Sequence, residues 1–195
     1  MKIKMIMVSA MLVLFFLNSK AQEKENRFSF ELNLGSSFAT KDLGDANLNT
    51  AFGSEFMFHY QLMSHMGTYV GWGYNKFSAE TSFAGNSMDF EETGYTFGIQ
   101  FKYPIANSPL SYFLRAGGIY THIEIENEDG DIIENTGHGL GWQVGAGLDI
   151  PLSSKWSLTP SVKYSALSRE SEIGGIKTPL DLNYISVRIG ITKKF

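Results

Sequence analysis

The chain has 195 residues, 43% of them hydrophobic and 14% aromatic, with no Cys and a formal charge of −4. That length holds one domain. The missing Cys excludes disulfides and a lipid-modified N-terminus, and the acidic balance argues against nucleic acid, whose binders carry basic patches.

The chain starts with basic Met1-Lys2-Ile3-Lys4, then an apolar run from Met5 to Leu17, then Asn18-Ser19-Lys20-Ala21. The run is too short for a membrane-spanning helix, which needs about 20 apolar residues. Ser19 and Ala21 have the spacing of a signal-peptidase site, so residues 1–21 read as a signal peptide and residues 22–195 as the mature domain. Removing the signal takes away three Lys and no acid.

Beyond it the chain alternates with a period of two, the mark of β-strands. The first expected strand runs from Phe28 to Phe38, with Phe28, Phe30, Leu32 and Leu34 on one face and Ser29, Glu31, Asn33 and Gly35 on the other. The second, 51–60, sets Phe52, Phe56, Phe58 and Tyr60 against Gly53, Glu55, Met57 and His59. The third, 66–76, sets Val70, Trp72 and Tyr74 against Tyr69, Gly71, Gly73 and Asn75. The fourth, 92–103, sets Tyr95, Phe97, Ile99, Phe101 and Tyr103 against Gly94, Thr96, Gly98, Gln100 and Lys102. The fifth, 110–123, carries Arg115 on its small face; the sixth, 138–150, has Asp149 there. The seventh, 156–167, has Lys163 on the polar face and Pro160 on the greasy one, where a bulge is expected. The eighth alternates Ile185, Val187, Ile189 and Ile191 with Ser186, Arg188, Gly190 and Thr192, and the chain closes on Phe195. Its upper part, 180–184, falls out of phase with a polar inner face, since Leu180 and Leu182 would point inward. A bulge near Asn183 would correct this.

Short links (61–65, 104–109, 151–155) alternate with long ones (39–50, 77–91, 124–137, 168–178), of which 77–91 carries Gly85-Asn86, a turn signal. The greasy faces carry one charge, Lys76, at a strand end, whereas the other faces carry Glu31, Glu55, Lys102, Arg115, Asp149, Lys163 and Arg188. A soluble sandwich would reverse this. The pattern, together with the aromatic terminus, resembles small eight-stranded outer-membrane β-barrel proteins of the OmpA-transmembrane-domain and OmpX-like kind. Two departures stand out: Lys193 lies where that family usually has an apolar or aromatic residue, and no peptidoglycan-binding domain follows. The resemblance implies an all-β, eight-stranded, antiparallel, closed transmembrane barrel with an apolar exterior and a polar, plugged interior. It also implies the outer membrane of a Gram-negative bacterium, both termini in the periplasm, and lipid and lipopolysaccharide as surroundings. Phe195 becomes the C-terminal residue used in membrane insertion by the barrel-assembly machinery. A monomer is the default.

Eight strands leave an interior just wide enough for side chains. Glu31, Glu55, Arg115, Lys163 and Arg188 are therefore expected to form an interior ion-pair network, with Glu31 and Arg188 as partners across the seam between the first and last strands. Aromatic belts are expected at Phe28, Tyr60, Tyr103, Tyr112, Trp156 and Phe195 on one side and at Trp72, Tyr95, Tyr120, Trp142 and Tyr164 on the other. Nothing supports catalysis: there is no Gly-x-Ser-x-Gly elbow and no His-x-Ser pair, although His122 and His138 flank the acidic stretch and can face each other. No cofactor is implied. The acids Glu124, Glu126, Glu128, Asp129, Asp131 and Glu134 form an external hairpin that is no EF-hand. Glu126, Glu128, Asp129 and Asp131 are its candidate calcium ligands. The expected role is structural or surface-interacting, through acidic external loops that an outside partner would meet. A narrow channel for small solutes or ions is the alternative, and a lipid-modifying enzyme a more remote one.

Overall fold

The computed structural model describes residues 27–195; the expected signal peptide lies outside them. Nine strands follow in order: β1 Phe28–Ala39, β2 Ala51–Met63, β3 Met66–Ser82, β4 Gly85–Pro104, β5 Ser111–Glu126, β6 Ile132–Asn135, β7 Gly139–Pro151, β8 Trp156–Ile173 and β9 Ile176–Lys194. Every pairing is antiparallel. The order β4-β3-β2-β1-β9-β8-β7-β5 closes on itself through a β4–β5 ladder, and the four-residue β6 pairs with the end of β5. Over the span that all eight strands share, the ring has no free edge, which in lipid satisfies every backbone group.

Alternation sorts the side chains as the barrel requires. Ile189 is 63% exposed and Val70 56%, whereas Glu31 is 1% and Arg188 3%. The inner wall is lined with Gly where large inward side chains must fit. Gly98 and Gly117 face each other on β4 and β5. A Cβ on either would come within 2.8 Å of the Tyr69 hydroxyl, so the buried Tyr69 lies across that pair because both are Gly.

Two of the long links turn out to be strand. β3 and β4 pair up to Ser82 and Gly85, so the turn is Phe83-Ala84 rather than Gly85-Asn86. β8 and β9 pair up to Ile173 and Ile176. Their turn, Gly174-Gly175, has φ of +61° and +80°, the geometry of a two-residue hairpin turn with positive φ at both central positions. β4 is 20 residues long and β9 is 19, against the 9–11 that a membrane strand needs. The surplus stands beyond the apolar band as a collar.

The side-chain logic inverts in the collar. Above Asn75 and Glu92 the inward residues become apolar: Phe77, Ala79, Met88, Phe90, Ile123, Ile125, Leu180, Leu182 and Tyr184 form one buried cluster with Leu43 and Ala46 of the 40–50 segment. Outward residues become charged, as with Lys76, Asp89, Glu91, Glu124 and Glu126. Two expectations are corrected by this. The bulge near Asn183 is absent, since β9 pairs with β8 without a shift from Lys193 to Ile176. Leu180 and Leu182 do point inward, because at that height the inside is a hydrophobic core. The interior is therefore charged and polar within the membrane span and mainly apolar above it, where Arg169 and the buried Ser171 are polar exceptions. The bulge at Pro160 is also missing: β7–β8 pairing lapses at Leu148 and Asp149 and resumes in the same register. That lapse accommodates the missing N–H.

Segment 40–50 closes the collar on one side. The Phe83 N–H donates to Asp45 Oδ1 (2.6 Å) and the Asn49 N–H to the Ser78 carbonyl (2.8 Å). On the other side β7 begins only at Gly139; above it β6 takes the same edge of β5, at Glu124–Glu126, and forms no ladder with β8 among the described residues. Arg169 fills the opening. Its guanidinium donates to the carbonyls of Thr121 (2.8 Å), Leu140 (3.2 Å), Ser168 (2.6 Å) and Gly139, all at or near the ladder's end.

Candidate functional site

Three regions carry chemistry: the polar lumen, the mouth at the short-turn end, and the collar. In the lumen, Glu31 on β1 receives two parallel bonds from Arg115 on β5, Nη1 to Oε1 at 3.0 Å and Nη2 to Oε2 at 2.6 Å. His59 Nε2 lies 3.1 Å from the same carboxylate. Arg115 also donates from Nε to Gln100 (2.7 Å) and lies 4.2 Å from the Phe113 ring centre. Lys163 Nζ binds Glu55 at 2.8 Å. Arg188 is not Glu31's partner. Its Nη2 donates to Asn75 Oδ1 (2.6 Å), whose Nδ2 donates to Glu92 (2.7 Å), and the Tyr184 hydroxyl donates to Glu92 as well (3.0 Å). The reason is reach. Arg188 sits opposite Gly35 while Glu31 sits opposite Thr192, four residues further down the seam.

Voids near Glu55 measure about 20 and 10 Å³, room for a water at most. Above them the apolar cluster fills the collar. At the short-turn end a cavity of about 210 Å³ opens outward, lined by Arg27, His59, His65, Gln100, Lys102 and Lys194 among others. There Lys102 is paired with Asp149, and Lys194 Nζ lies 3.7 Å from the same carboxylate.

On the collar's outer face Lys76 Nζ binds Glu91 (2.8 Å), Asp89 (3.0 Å) and Glu126 (3.2 Å). Burial raises the Glu91 pKa, but donation from Lys76 and Tyr74 outweighs it and holds the carboxyl below its ordinary value. Glu91, Glu124 and Glu126 converge within 4.8 Å, the one such group of three carboxylate or His ligands among the described residues. The four candidate calcium ligands do not converge. Glu126 is held by Lys76, while Glu128, Asp129 and Asp131 are exposed in a turn whose geometry comes from Asn127 Oδ1, which accepts from the N–H groups of Asp129 (3.1 Å) and Asp131 (2.8 Å).

Phe195 is 54% exposed beside Lys193, whose Nζ lies 5.2 Å from its ring. The expected belts form adjoining pairs, with Phe28 and Tyr60 ring centres 4.9 Å apart and Trp142 and Tyr164 5.4 Å apart. Glu92, Asn75, His59 and Arg169 are the site residues that sequence reasoning missed. Glu92 and Asn75 could have been found from their inward phase. Arg169 could not, because its partners are backbone carbonyls.

Comparison with known proteins agrees with this architecture. A family model described as outer membrane protein beta-barrel domain matches residues 7–195. Among solved structures, Neisserial surface protein A is similar with a TM-score of 0.66 at 17% identity, covering 89% of this chain and 100% of that one. OprG from Pseudomonas aeruginosa gives 0.60 at 15%, covering 86% and 95%. The E. coli outer membrane protein W gives 0.57 at 17%, covering 89% and 100%. At these identities the likeness is one of fold. No curated protein sequence matches the chain.

Proposed function

The chain belongs to the outer membrane protein beta-barrel domain family, and from that premise we propose that it is a closed anchor whose rigid acidic collar meets a cationic partner at the cell surface. Its place is the outer membrane of a Gram-negative bacterium. The short turns lie in the periplasm and the collar stands outside, after cleavage of residues 1–21. The observation that carries the reading is the inverted collar: an apolar core inside and carboxylates outside, where two of the long links were expected to be loops. A core of that kind costs nothing in water and holds a surface rigid for recognition, which reduces the ordering entropy of binding. The partner is a basic protein surface or a cation bridging to lipopolysaccharide phosphates.

A narrow channel is the competing reading, and the cavity at the periplasmic mouth speaks for it. The filled lumen above Glu55 speaks against it. Planar-bilayer recording decides: the anchor reading expects no conductance steps from the folded protein. Reproducible steps would replace it with the channel. The collar is tested separately, by binding of polylysine to whole cells that express the parent or a variant with Glu124, Glu126, Glu128 and Asp131 changed to amides. Equal binding would remove the collar's role. Phe195 is the proposed insertion residue, and its deletion is expected to lower folded yield in cells.

A further inference from the structure

The outer face of the collar holds one pair of side chains that the proposed role does not use. His122 on β5 and His138, just before β7, lie opposite each other one step beyond the last β5–β7 pair, Thr121 and Gly139. Their rings meet edge to face with centres 4.3 Å apart, and the two Nδ1 atoms are 3.2 Å apart. We propose that His122 and His138 form a chelating site for a divalent transition-metal ion of the zinc, copper and nickel class.

The geometry of the donors carries the inference. Two nitrogens bound to one tetrahedral ion at about 2.0–2.1 Å stand roughly 3.3 Å apart. The Nδ1 atoms are already at that separation without an ion. His122 Nε2 is buried and has no hydrogen-bond partner, but faces Glu124 Oε1 at 3.5 Å. A carboxylate beside one ring nitrogen favours the proton there and leaves the other nitrogen with its lone pair, the arrangement found behind metal-binding imidazoles. Glu124 is in turn fixed by Asn135 Nδ2 at 2.9 Å. In the metal-free protein, the His138 Nδ1–H donates to His122 Nδ1. On binding, that proton moves to His138 Nε2, a change of tautomer with no net release, and both Nδ1 lone pairs go to the ion. Water completes its coordination. Imidazole pairs suit zinc, copper and nickel rather than calcium or magnesium.

The surroundings favour cation entry. His122 is one alternation step above Tyr120, and the His138 ring packs against Tyr120 and Tyr95, with ring centres 5.2 and 6.4 Å away, so the pair sits at the upper rim of the outer aromatic belt. His138 is exposed. Glu91, Glu124 and Glu126 lie on the same outward face and make it locally negative. The ion would tie the start of β7 to β5 where the ladder ends, at the seam that Arg169 staples from within.

The test uses tag-free, folded protein in detergent. One equivalent of Cu²⁺ is followed by electron paramagnetic resonance, and Zn²⁺ by thermal unfolding. The parent is expected to show a copper signal split by two imidazole nitrogens, and a raised unfolding temperature with zinc. His122→Gln and His138→Gln should each lose the two-nitrogen signal and bind copper at least tenfold more weakly. His65→Gln, at the opposite end, should match the parent. Because both substitutions lie on the collar's exterior, altered migration of unboiled protein on gels checks that each variant is folded. A one-nitrogen signal in the parent, or a two-nitrogen signal that survives in either single variant, overturns the site. So does a parent that takes up no copper below millimolar concentration.

Discussion

Glu31 shows what one buried carboxylate demands. It is 1% exposed and holds a bidentate guanidinium and an imidazole. Removing one member of such a pair strands the other, at a cost of about 3–5 kcal/mol. Arg115→Leu is therefore expected to destabilise the barrel by that amount in urea unfolding from lipid vesicles. Adding Glu31→Leu should recover part of it. The contrasting cycle pairs Glu31→Leu with Arg188→Leu, and there the two effects should add within about 0.5 kcal/mol, as distant sites do. Strong coupling in the second cycle and none in the first would reverse the assignment. The phase of each strand placed both charges inside from sequence alone. It could not pair them, because contact across a lumen depends on the stagger of the closed ring, which no single strand records. His59 was visible as an inward residue but not as a partner for Glu31, for the same reason. Lys76 is a residue of the other kind, on the outside and 40% exposed. Its bonds to Glu91, Asp89 and Glu126 raise its pKa, with Glu91 the largest cause. Exposed pairs contribute about 0.2–1 kcal/mol each, so Lys76→Gln, which removes three of them, should cost no more than about 3 kcal/mol at pH 7. Glu91 has its pKa lowered on folding. The stability it contributes is present above its ordinary pKa of 4.5 and lost as pH falls through the lower folded value. Hydrogen exchange at 76–79 and 88–91 should accelerate below that pH in the parent. The acceleration should be weaker in Lys76→Gln; an unchanged acid response would remove the ion cluster as its cause.

The strands were legible where lipid sets the pattern and misread where water does. In β9, Ile185 to Ile191 alternate outward, and all are at least 40% exposed. Ile189→Arg at mid-bilayer should cost about 2–4 kcal/mol, measured by the same vesicle unfolding; a neutral result would break the assigned phase of β9. Further up the same strand, Leu180 and Leu182 looked like an error of phase. They are the same phase in a different solvent. Once the strand leaves the membrane its inner face must be apolar to form a core, and its outer face is free to carry Lys177 and Asp181. The polar stretch 77–91 reads as loop in the sequence for a related reason. Ser78, Glu80, Asp89 and Glu91 are outward residues of a water-facing hairpin, and only Phe77, Ala79, Met88 and Phe90 on alternate positions betray it. The Gly85-Asn86 signal marked a turn two residues late. Only the acidic stretch kept a visible β pattern, through Ile123, Ile125, Ile132 and Ile133. Segment 40–50 gave no sign that Leu43 and Ala46 would be fully buried, since its partners come from β3, β4 and β9.

Taken whole, the molecule is two barrels in series sharing one set of strands. The lower is apolar outside and charged inside; the upper is charged outside and apolar inside. At about 3.3 Å per residue β4 extends roughly 66 Å along its length, and a strand tilted by about 45° crosses the membrane with 9–11 residues. The hairpins β3–β4 and β8–β9 must therefore project well into the medium. A protease site inserted at Asn86 should be cut on intact cells, and one at Ser64, in the tight β2–β3 turn, should not. The opposite result would invert the orientation. The seal follows from the upper core. Ions crossing the lumen would have to pass the apolar side chains of Phe77, Phe90, Leu180 and Leu182, which replace little of their hydration, so the parent should be silent in planar bilayers. A variant with Phe90→Ser and Leu182→Ser puts hydroxyls into the core and removes packing volume. It should show brief conductance steps if the collar is the barrier. If the folded variant, checked by its altered migration when unboiled, stays silent, the barrier lies lower. It would then be the Glu31–Arg115 and Glu55–Lys163 pairs that seal the lumen. The Arg115→Leu variant, expected to be silent while the collar holds, should then conduct.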